Sequence, residues 1–322
     1  MTSTPLGPGA EFDVIRRVLN GAAAPGSMVA LGAGDDCALI ESGDGYLAVT
    51  VDLFVEGVHF LTSWGAPELV GRRAVLAATS DLAAMAAQPL AVLVSLSVPG
   101  DEGPELAERI GAGCREAAEQ MGASLVGGDL SHGGGQLALD VTALGQVGIP
   151  LLRSGVRPGD EIWLTGGGLG AAAAAVRGWK AGAAVSEVWR ERFWAPTPRI
   201  REARWLSEQG ASAAIDVSDG LVADAGHLAA ASAVGIEIDW SGVPLAPGVE
   251  AELALTGGED YELLVAVPGG ILSGQAVSEF ERAFGIPVTR VGRAVSGYGV
   301  RVFRDGEEVR LASSGYNHFD SA

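Results

Sequence analysis

Residues 67–98 read PELVGRRAVLAATSDLAAMAAQPLAVLVSLSV, and this stretch decides the class of fold. A proline in the first turn and the long apolar run behind it predict a helix over residues 67–87. The apolar run that follows predicts a buried strand over residues 90–98. Neighbouring buried elements of both kinds are typical of domains in which helices form a layer against a sheet.

Further helices and strands are predicted on both sides of this stretch. The expected helices are residues 11–20, 105–121, 198–209 and 220–233, with an alanine-rich helix after residue 170. The expected strands are residues 46–51, 124–126, 136–147, 161–164, 235–239, 261–267 and 288–291, with another ending at Asp216. Because helices and strands do not alternate one for one, we predict an α+β fold of two α/β-type domains rather than a doubly wound sheet.

Proline and glycine interrupt the pattern between residues 149 and 159, and we place a domain boundary there. We therefore expect an N-terminal domain of residues 1–150 and a C-terminal domain of residues 151–322. The length of 322 residues suits two domains of roughly 150 residues each.

The chain is strongly acidic, with 40 Asp and Glu against 21 Lys and Arg and a formal net charge of −19. Such a surface repels nucleic acid and anionic membranes, so we expect no partner of either kind. The only lysine, Lys180, has an ordinary Trp-Lys-Ala-Gly context, which argues against Schiff-base or P-loop chemistry. Two cysteines, Cys37 and Cys114, and the lack of a signal-peptide pattern in residues 1–10 predict a cytoplasmic protein.

Five acidic clusters stand at the ends of predicted strands, in the predicted helix or in glycine-rich turns. They are Gly32-Ala33-Gly34-Asp35-Asp36, Thr50-Val51-Asp52, Ser80-Asp81-Leu82, Gly127-Gly128-Asp129 and Asp216-Val217-Ser218-Asp219-Gly220. One such cluster alone is more often a turn, because Asp and Gly both tolerate turn geometry. Asp81 differs because it lies in an apolar helix, where an unpaired carboxylate is costly unless an arginine or another partner meets it.

Several such carboxylates in an already acidic chain need a cation to hold them. Oxygen ligands without a histidine or thiolate cluster favour Mg²⁺, which binds a few carboxylates together with substrate phosphates. Phosphoryl transfer suits such a site, since metal ions and positioning supply most of its catalysis.

Two further segments have both a binding and a structural interpretation. Residues 166–170, Gly-Gly-Gly-Leu-Gly, would hold an anion at a helix N-terminus or act only as a flexible turn. Residues 256–262 carry the carboxylates of Glu259, Asp260 and Glu262 just before an apolar strand, which is a poor strand start unless something binds there.

The histidines give weaker signals. His59 follows Asp52 by seven residues, and a lone histidine is more often structural than a ligand. Asp224 and His227, three residues apart on a predicted helix, favour helix stabilisation over zinc binding.

In this order, the motifs resemble those of the thiamine-monophosphate kinases, a family in the ATP-binding superfamily named for aminoimidazole ribonucleotide (AIR) synthetase. The resemblance extends from about residue 11 to residue 319. It includes the five acidic clusters together with Val58-His59-Phe60, Arg153-Ser154-Gly155, Gly257-Gly258-Glu259-Asp260-Tyr261-Glu262 and Gly315-Tyr316-Asn317-His318-Phe319.

The resemblance implies AIR-synthetase-like N- and C-terminal domains and a homodimer built through the N-terminal domains. It implies direct in-line phosphorylation of thiamine monophosphate by ATP, with several Mg²⁺ ions, to give thiamine diphosphate. The N-terminal domain would bind ATP and Mg²⁺, and the C-terminal domain would complete the ATP and substrate sites.

The resemblance also implies roles for individual residues. Asp52 and Asp129 match catalytic positions, and the ATP-binding positions are Gly128, Asp129, Arg153 and Ser218. The substrate positions are His59, Glu259 and Tyr316, and the metal positions are Asp36, Thr50, Val51, Asp52, Asp81, Asp129, Asp216 and Asp219. Val51 stands where other members of the family carry threonine, so only its backbone carbonyl can bind a metal.

Two alternatives stay open beside this interpretation. One is another ATP-using enzyme of the superfamily, although we find neither the reactive N-terminal cysteine and lysine of a selenophosphate synthetase nor the cysteine-bearing tail of a hydrogenase-maturation protein. The other is a non-catalytic regulator that binds a nucleotide or thiamine on the same fold.

Overall fold

The computed structural model describes residues 3–20, 28–100, 103–133 and 135–316, and it confirms the predicted α+β class. The helices are α1 (Ala10–Leu19), α2 (Pro67–Ala84), α3 (Gly103–Gln120), α4 (Ala171–Lys180), α5 (Glu187–Trp194), α6 (Ile200–Glu208), α7 (Leu221–Ser232), α8 (Ala251–Thr256) and α9 (Gly274–Phe284). The strands are β1 (Val29–Leu31), β2 (Ala38–Ser42), β3 (Gly45–Val55), β4 (Gln88–Val98), β5 (Ser124–His132), β6 (Ala138–Val147), β7 (Glu161–Thr165), β8 (Ala213–Asp216), β9 (Gly235–Asp239), β10 (Leu263–Val267), β11 (Val288–Val295), β12 (Gly299–Arg304) and β13 (Glu307–Val309).

The N-terminal half forms a six-stranded sheet in the order β1-β2-β3-β6-β4-β5. Its pairs are antiparallel except β4 and β5, which are parallel. Helix α2 packs on one face of the sheet, where Ala48, Val92 and Val141 are buried. On the opposite face, the side chains of Val51 and Leu53 are more than half exposed.

The C-terminal half forms a seven-stranded sheet in the order β13-β12-β9-β11-β7-β10-β8. Every residue of β10 is buried, because its alternate side chains pack into two apolar clusters on opposite faces of the sheet. Helix α2 of the N-terminal half also contacts α5, α6 and β8, so one apolar core joins the two halves. None of the helices in the described ranges has the length and apolar character of a membrane span.

Strand β5 is longer than the sequence pattern indicates. It runs to His132 instead of ending at residue 126, so Gly127-Gly128-Asp129 lie inside a strand and not at its end. Because β5 is an edge strand whose side chains are mostly exposed, it has no apolar run to reveal its length. For the opposite reason α2 was predicted three residues too long, since its apolar pattern continues past Ala84 into a turn.

Candidate active site

A cleft of about 850 Å³ lies between the two halves of the molecule. Its walls come from β3, α2, α4, the segments around α7 and α8, and the last described residues. Eight of the residues singled out in the sequence line it: Asp52, His59, Asp81, Asp216, Ser218, Asp219, Glu259 and Tyr316. The fold therefore brings predicted metal positions and predicted substrate positions to one cavity.

Three aspartates meet beside this cleft. Asp36 precedes β2, Asp81 is on α2 and Asp216 ends β8, yet one carboxylate oxygen of each lies within 4.8 Å of the other two. The hydroxyl of Thr50 donates a hydrogen bond to Asp81. Asp36 Oδ2 is buried and has no hydrogen-bond partner among the described residues. The donor set consists of hard oxygens with an unsatisfied buried oxygen, which fits Mg²⁺.

Burial, and after it the charge of neighbouring carboxylates, makes Asp216, Asp52 and Asp81 hard to ionise. Burial, and then the neighbouring charge of Asp36, raise the pKa of Asp216 to about 7. Burial, and then Asp140, raise the pKa of Asp52 to about 6. Burial, and then Asp52, hold the pKa of Asp81 well above its usual range. A bound cation would remove this penalty by favouring the charged forms.

In EDTA, we expect the Asp216→Asn variant to melt at a higher temperature than the wild type at pH 8. The pKa of Asp216 is about 7 in the folded protein and near 3.8 ordinarily, so folding favours its protonated form. The stability that the protonated form contributes is complete below pH 3.8 and is lost as the pH rises through 7. A gain of at least about 2 °C, as 1 kcal/mol gives in a domain of this size, is expected at pH 8. The gain should shrink at pH 5, and an equal gain at both pH values would contradict the prediction.

Arg153 points toward the aspartates and not into the cleft. Its guanidinium forms a 2.5 Å ion pair with Asp36. Its backbone N–H lies 3.2 Å from both oxygens of Asp35, which also accepts a 2.7 Å hydrogen bond from Thr4. The role of Arg153 in ATP binding stays a prediction, while its contact here balances the charge of Asp36.

The structure does not bring Asp129 to the other aspartates within one chain. Asp129 lies on β5, three strands from Asp52 on β3, which is about 14 Å at the usual strand spacing. With Gly128 it lines a separate hollow against α3. Gly128 has a φ of +150°, and a Cβ there would lie 1.8 Å from the Val94 carbonyl oxygen. The glycine is therefore required by the close approach of β5 to β4.

The predicted substrate residues come from three different segments. His59 Nδ1 accepts a 3.0 Å hydrogen bond from the Val55 backbone N–H, which fixes the ring at the cleft wall. Tyr316 is half exposed, and its backbone N–H donates to the Asp219 carbonyl at 2.9 Å. Residues 317–319 of the same motif lie outside the described residues.

The chain itself supplies partners for the acidic ribbon of residues 256–262, which corrects the interpretation that a ligand is needed there. Asp260 accepts a 2.7 Å hydrogen bond from the Gly170 N–H, so it occupies the N-terminus of α4 where an anion was considered. Glu262 is buried and binds the guanidinium of Arg199 through both oxygens, at 2.5 and 2.6 Å. Of the three carboxylates in the ribbon, Glu259 alone lines the cleft.

Asp224 stabilises the start of α7, as predicted. One of its oxygens accepts backbone hydrogen bonds of 3.1–3.2 Å from Ser218, Asp219 and Gly220. Asp219, Asp224 and His227 also come within 4.8 Å of one another. One oxygen of Asp224 already accepts hydrogen bonds from three backbone N–H groups. The closeness of Asp219, Asp224 and His227 is therefore explained without a bound cation.

Two cationic residues of the cleft were not predicted to belong to the site. Arg177 and Lys180 lie three residues apart on α4 and both line its wall. Their spacing places them on one face of a helix, and this pattern in the sequence could have indicated a cationic wall. Lys180 was set aside because its local sequence is ordinary.

The chain is similar to known proteins over most of its length. The family models described as AIR synthase related protein, N-terminal domain and C-terminal domain, match residues 34–147 and 157–305. Thiamine-monophosphate kinase of Mycobacterium tuberculosis is 35% identical, over 92% of this chain and 88% of that protein. Its counterpart in Escherichia coli K12 is also 35% identical, over 96% of this chain and 98% of that protein. A structure of AaThiL complexed with AMPPCP and TMP has a TM-score of 0.81 and 32% identity, covering 97% of each chain.

Proposed function

Because the chain belongs to the thiamine-monophosphate kinase family of phosphotransferases, we propose that it phosphorylates thiamine monophosphate with ATP to give thiamine diphosphate. The observation that carries the proposal is the cleft, whose wall combines carboxylates that could hold a metal with His59, Glu259 and Tyr316. The relative in complex with AMPPCP and TMP supports the same pair of substrates.

The acceptor in this reaction is a phosphate oxygen, which is already ionised at neutral pH, so the chain needs no general base. The difficulty is the repulsion between two phosphates that must approach in line. Mg²⁺ held by the aspartates would screen this repulsion and stabilise charge in the transition state. Asp36, Asp81 and Asp216 are the ligands best placed by distance, and Asp52 and Asp219 share the same cleft.

The other residues bind and orient the two substrates. The ring of Tyr316 offers an aromatic face to the cationic ring of thiamine, a contact worth roughly 0.5–2 kcal/mol. His59 and Glu259 form the remaining wall of this subsite. Arg177 and Lys180 add positive charge that attracts the anionic substrates into an otherwise acidic cleft.

We also propose a homodimer through the open face of the N-terminal sheet. Val51 and Leu53 are 57% and 55% exposed on this face, and Leu93 is 36% exposed. Leu53 pairs with Asp140, Asp140 with Ser95, and Ser95 with Asp129. Directly paired residues point to the same face of a sheet, so Asp129 lies on this face too. Dimerisation would cover the apolar residues and bring Asp129 against a second chain, which would explain its separation from the aspartate cluster.

The Leu93→Arg variant is expected to be a monomer where the wild type is a dimer, because an arginine would be buried without a partner in the interface. Light scattering after size exclusion measures the mass of each. Val188→Arg, on the exposed side of α5 in the C-terminal half, is the matched control and should stay dimeric. A monomeric wild type, or a dimeric Leu93→Arg variant, would rule out this interface.

The activity is tested by incubating the protein with ATP, Mg²⁺ and thiamine monophosphate and measuring thiamine diphosphate. Thiamine without a phosphate is the control acceptor, and EDTA should stop turnover. Binding of both substrates without turnover would favour the regulator, and no reaction with thiamine monophosphate would favour another enzyme of the superfamily. The buried free thiols of Cys37 and Cys114 support a cytoplasmic location for this reaction.

A further inference from the structure

We infer that Arg73 is a positioning residue, which holds Glu259 in the cleft and so sets the affinity for thiamine monophosphate. The inference rests on the proposed function, since it concerns the same substrate. Arg73 belongs to α2 in the N-terminal half, whereas Glu259 lies between α8 and β10 in the C-terminal half. The side chain of Arg73 is 1% exposed and is not part of the cleft wall, so it acts on a ligand only through its neighbours.

The guanidinium of Arg73 is held on several sides. Nη2 lies 2.7 Å from Glu259 Oε1, and Nη1 donates a hydrogen bond to the Phe193 carbonyl. Its plane also lies over the Phe193 ring, with Cζ 3.8 Å from the ring centroid, and it is 5.8 Å from the centroid of Tyr261. A charge fixed in this way gives Glu259 one defined position.

Glu259 needs this support because its backbone is unusual. Glu259 and Tyr261 have φ values of +69° and +52°, in the left-handed region that disfavours residues other than glycine. Their N–H groups donate to the carbonyls of Ser218 and Val217 at 2.7 and 2.8 Å. The loop is therefore tied to the segment that carries Asp216 and Asp219, and the ion pair with Arg73 fixes the side chain.

The pairing also changes the chemistry expected of Glu259. Its side chain is 24% exposed and its charge is already compensated by Arg73, so it presents a fixed hydrogen-bond acceptor rather than a free counter-ion. Arg73 and Asp81 are eight residues apart on α2, about 12 Å along the helix axis. One rigid helix thus relates the substrate subsite to the aspartate cluster.

Arg73→Met is expected to raise KM for thiamine monophosphate about tenfold, because the ion pair that fixes Glu259 is lost, and to leave KM for ATP within about twofold. Arg73→Lys keeps the charge and should recover more than half of the loss. In a Glu259→Gln background, Arg73→Met should add less than about a twofold further rise, because both changes remove the same interaction.

Wild-type turnover is measured first, because its absence would refute the proposed function and this inference with it. If wild-type turnover is present, two results would assign Arg73 a merely structural role. One is that the fold-changes in KM for thiamine monophosphate caused by Arg73→Met and Glu259→Gln multiply in the double variant. The other is that Arg73→Met raises both KM values equally and lowers the melting temperature. If Arg73→Met does not fold, Arg73→Lys alone and combined with Glu259→Gln gives the same comparison.

Discussion

In the Asp81→Asn variant, we expect kcat to fall at least about 100-fold, the size of effect that follows loss of one group stabilising transition-state charge. Asp81 belongs to the cluster with Asp36 and Asp216, and it also accepts a hydrogen bond from the Thr50 hydroxyl. Asparagine has nearly the same size as aspartate and keeps one acceptor oxygen, but it lacks the charge that would hold Mg²⁺. Steady-state kinetics over a range of Mg²⁺ concentrations measure the loss.

The fold should survive this change, because burial already holds the pKa of Asp81 well above its usual range and its ionised form costs stability without a cation. A melting curve in EDTA checks that the variant is folded. Asp44→Asn, in the exposed turn between β2 and β3, is the control and should keep full activity. If Asp81→Asn kept near-normal turnover at low Mg²⁺, the aspartate cluster would not be the metal site.

In the Glu262→Gln variant, we expect a loss of about 3–5 kcal/mol in the free energy of unfolding, because the buried guanidinium of Arg199 loses its bidentate partner and keeps only the longer 3.8 Å contact with Glu202. Glu262 is 1% exposed, binds Arg199 through both oxygens and lies 3.3 Å from Arg192 Nη1. It also accepts a 2.8 Å hydrogen bond from the Thr165 hydroxyl. At about 2–4 °C per kcal/mol, the melting temperature should fall by about 6–20 °C. Scanning calorimetry measures the shift.

Glu237→Gln provides the matched control for this prediction. Glu237 also binds two arginines, at 2.7 Å to Arg293 and 2.6 Å to Arg301, but the side chains of both arginines are about half exposed or more. Exposed ion pairs contribute only about 0–1 kcal/mol, so this variant should melt within a few degrees of the wild type. Equal shifts in the two variants would mean that burial is not what makes Glu262 important.

Helices and strands that are marked by a run of apolar residues could be predicted from the sequence. Helix α2 and strand β4 are apolar over most of their length, and the sequence places both within a few residues of their observed bounds. Asp81 was singled out for the same reason, as a charge within an apolar helix. Strand β5 was predicted too short because an exposed edge strand needs no apolar residues.

The partners of the acidic residues were not predictable, because they are distant in the sequence. Glu262 meets Arg199 across 63 residues, and Asp36 meets Arg153 across 117. Nothing local to Glu262 or Asp260 distinguishes a carboxylate held by the chain from one that awaits a ligand. The order of the motifs along the chain supported the resemblance to a family, whereas the contact of Arg73 with Glu259 appears only when the two halves are folded together.

Lys180, in the wall of the cleft, has a practical consequence. It carries the only ε-amino group of the chain, since all other cationic side chains apart from histidine are arginines. Reagents that acylate lysine have this one side chain as their target, beside the terminal amine. A fluorophore attached there would report on occupancy of the cleft without any engineered cysteine, and the buried thiols of Cys37 and Cys114 would stay untouched.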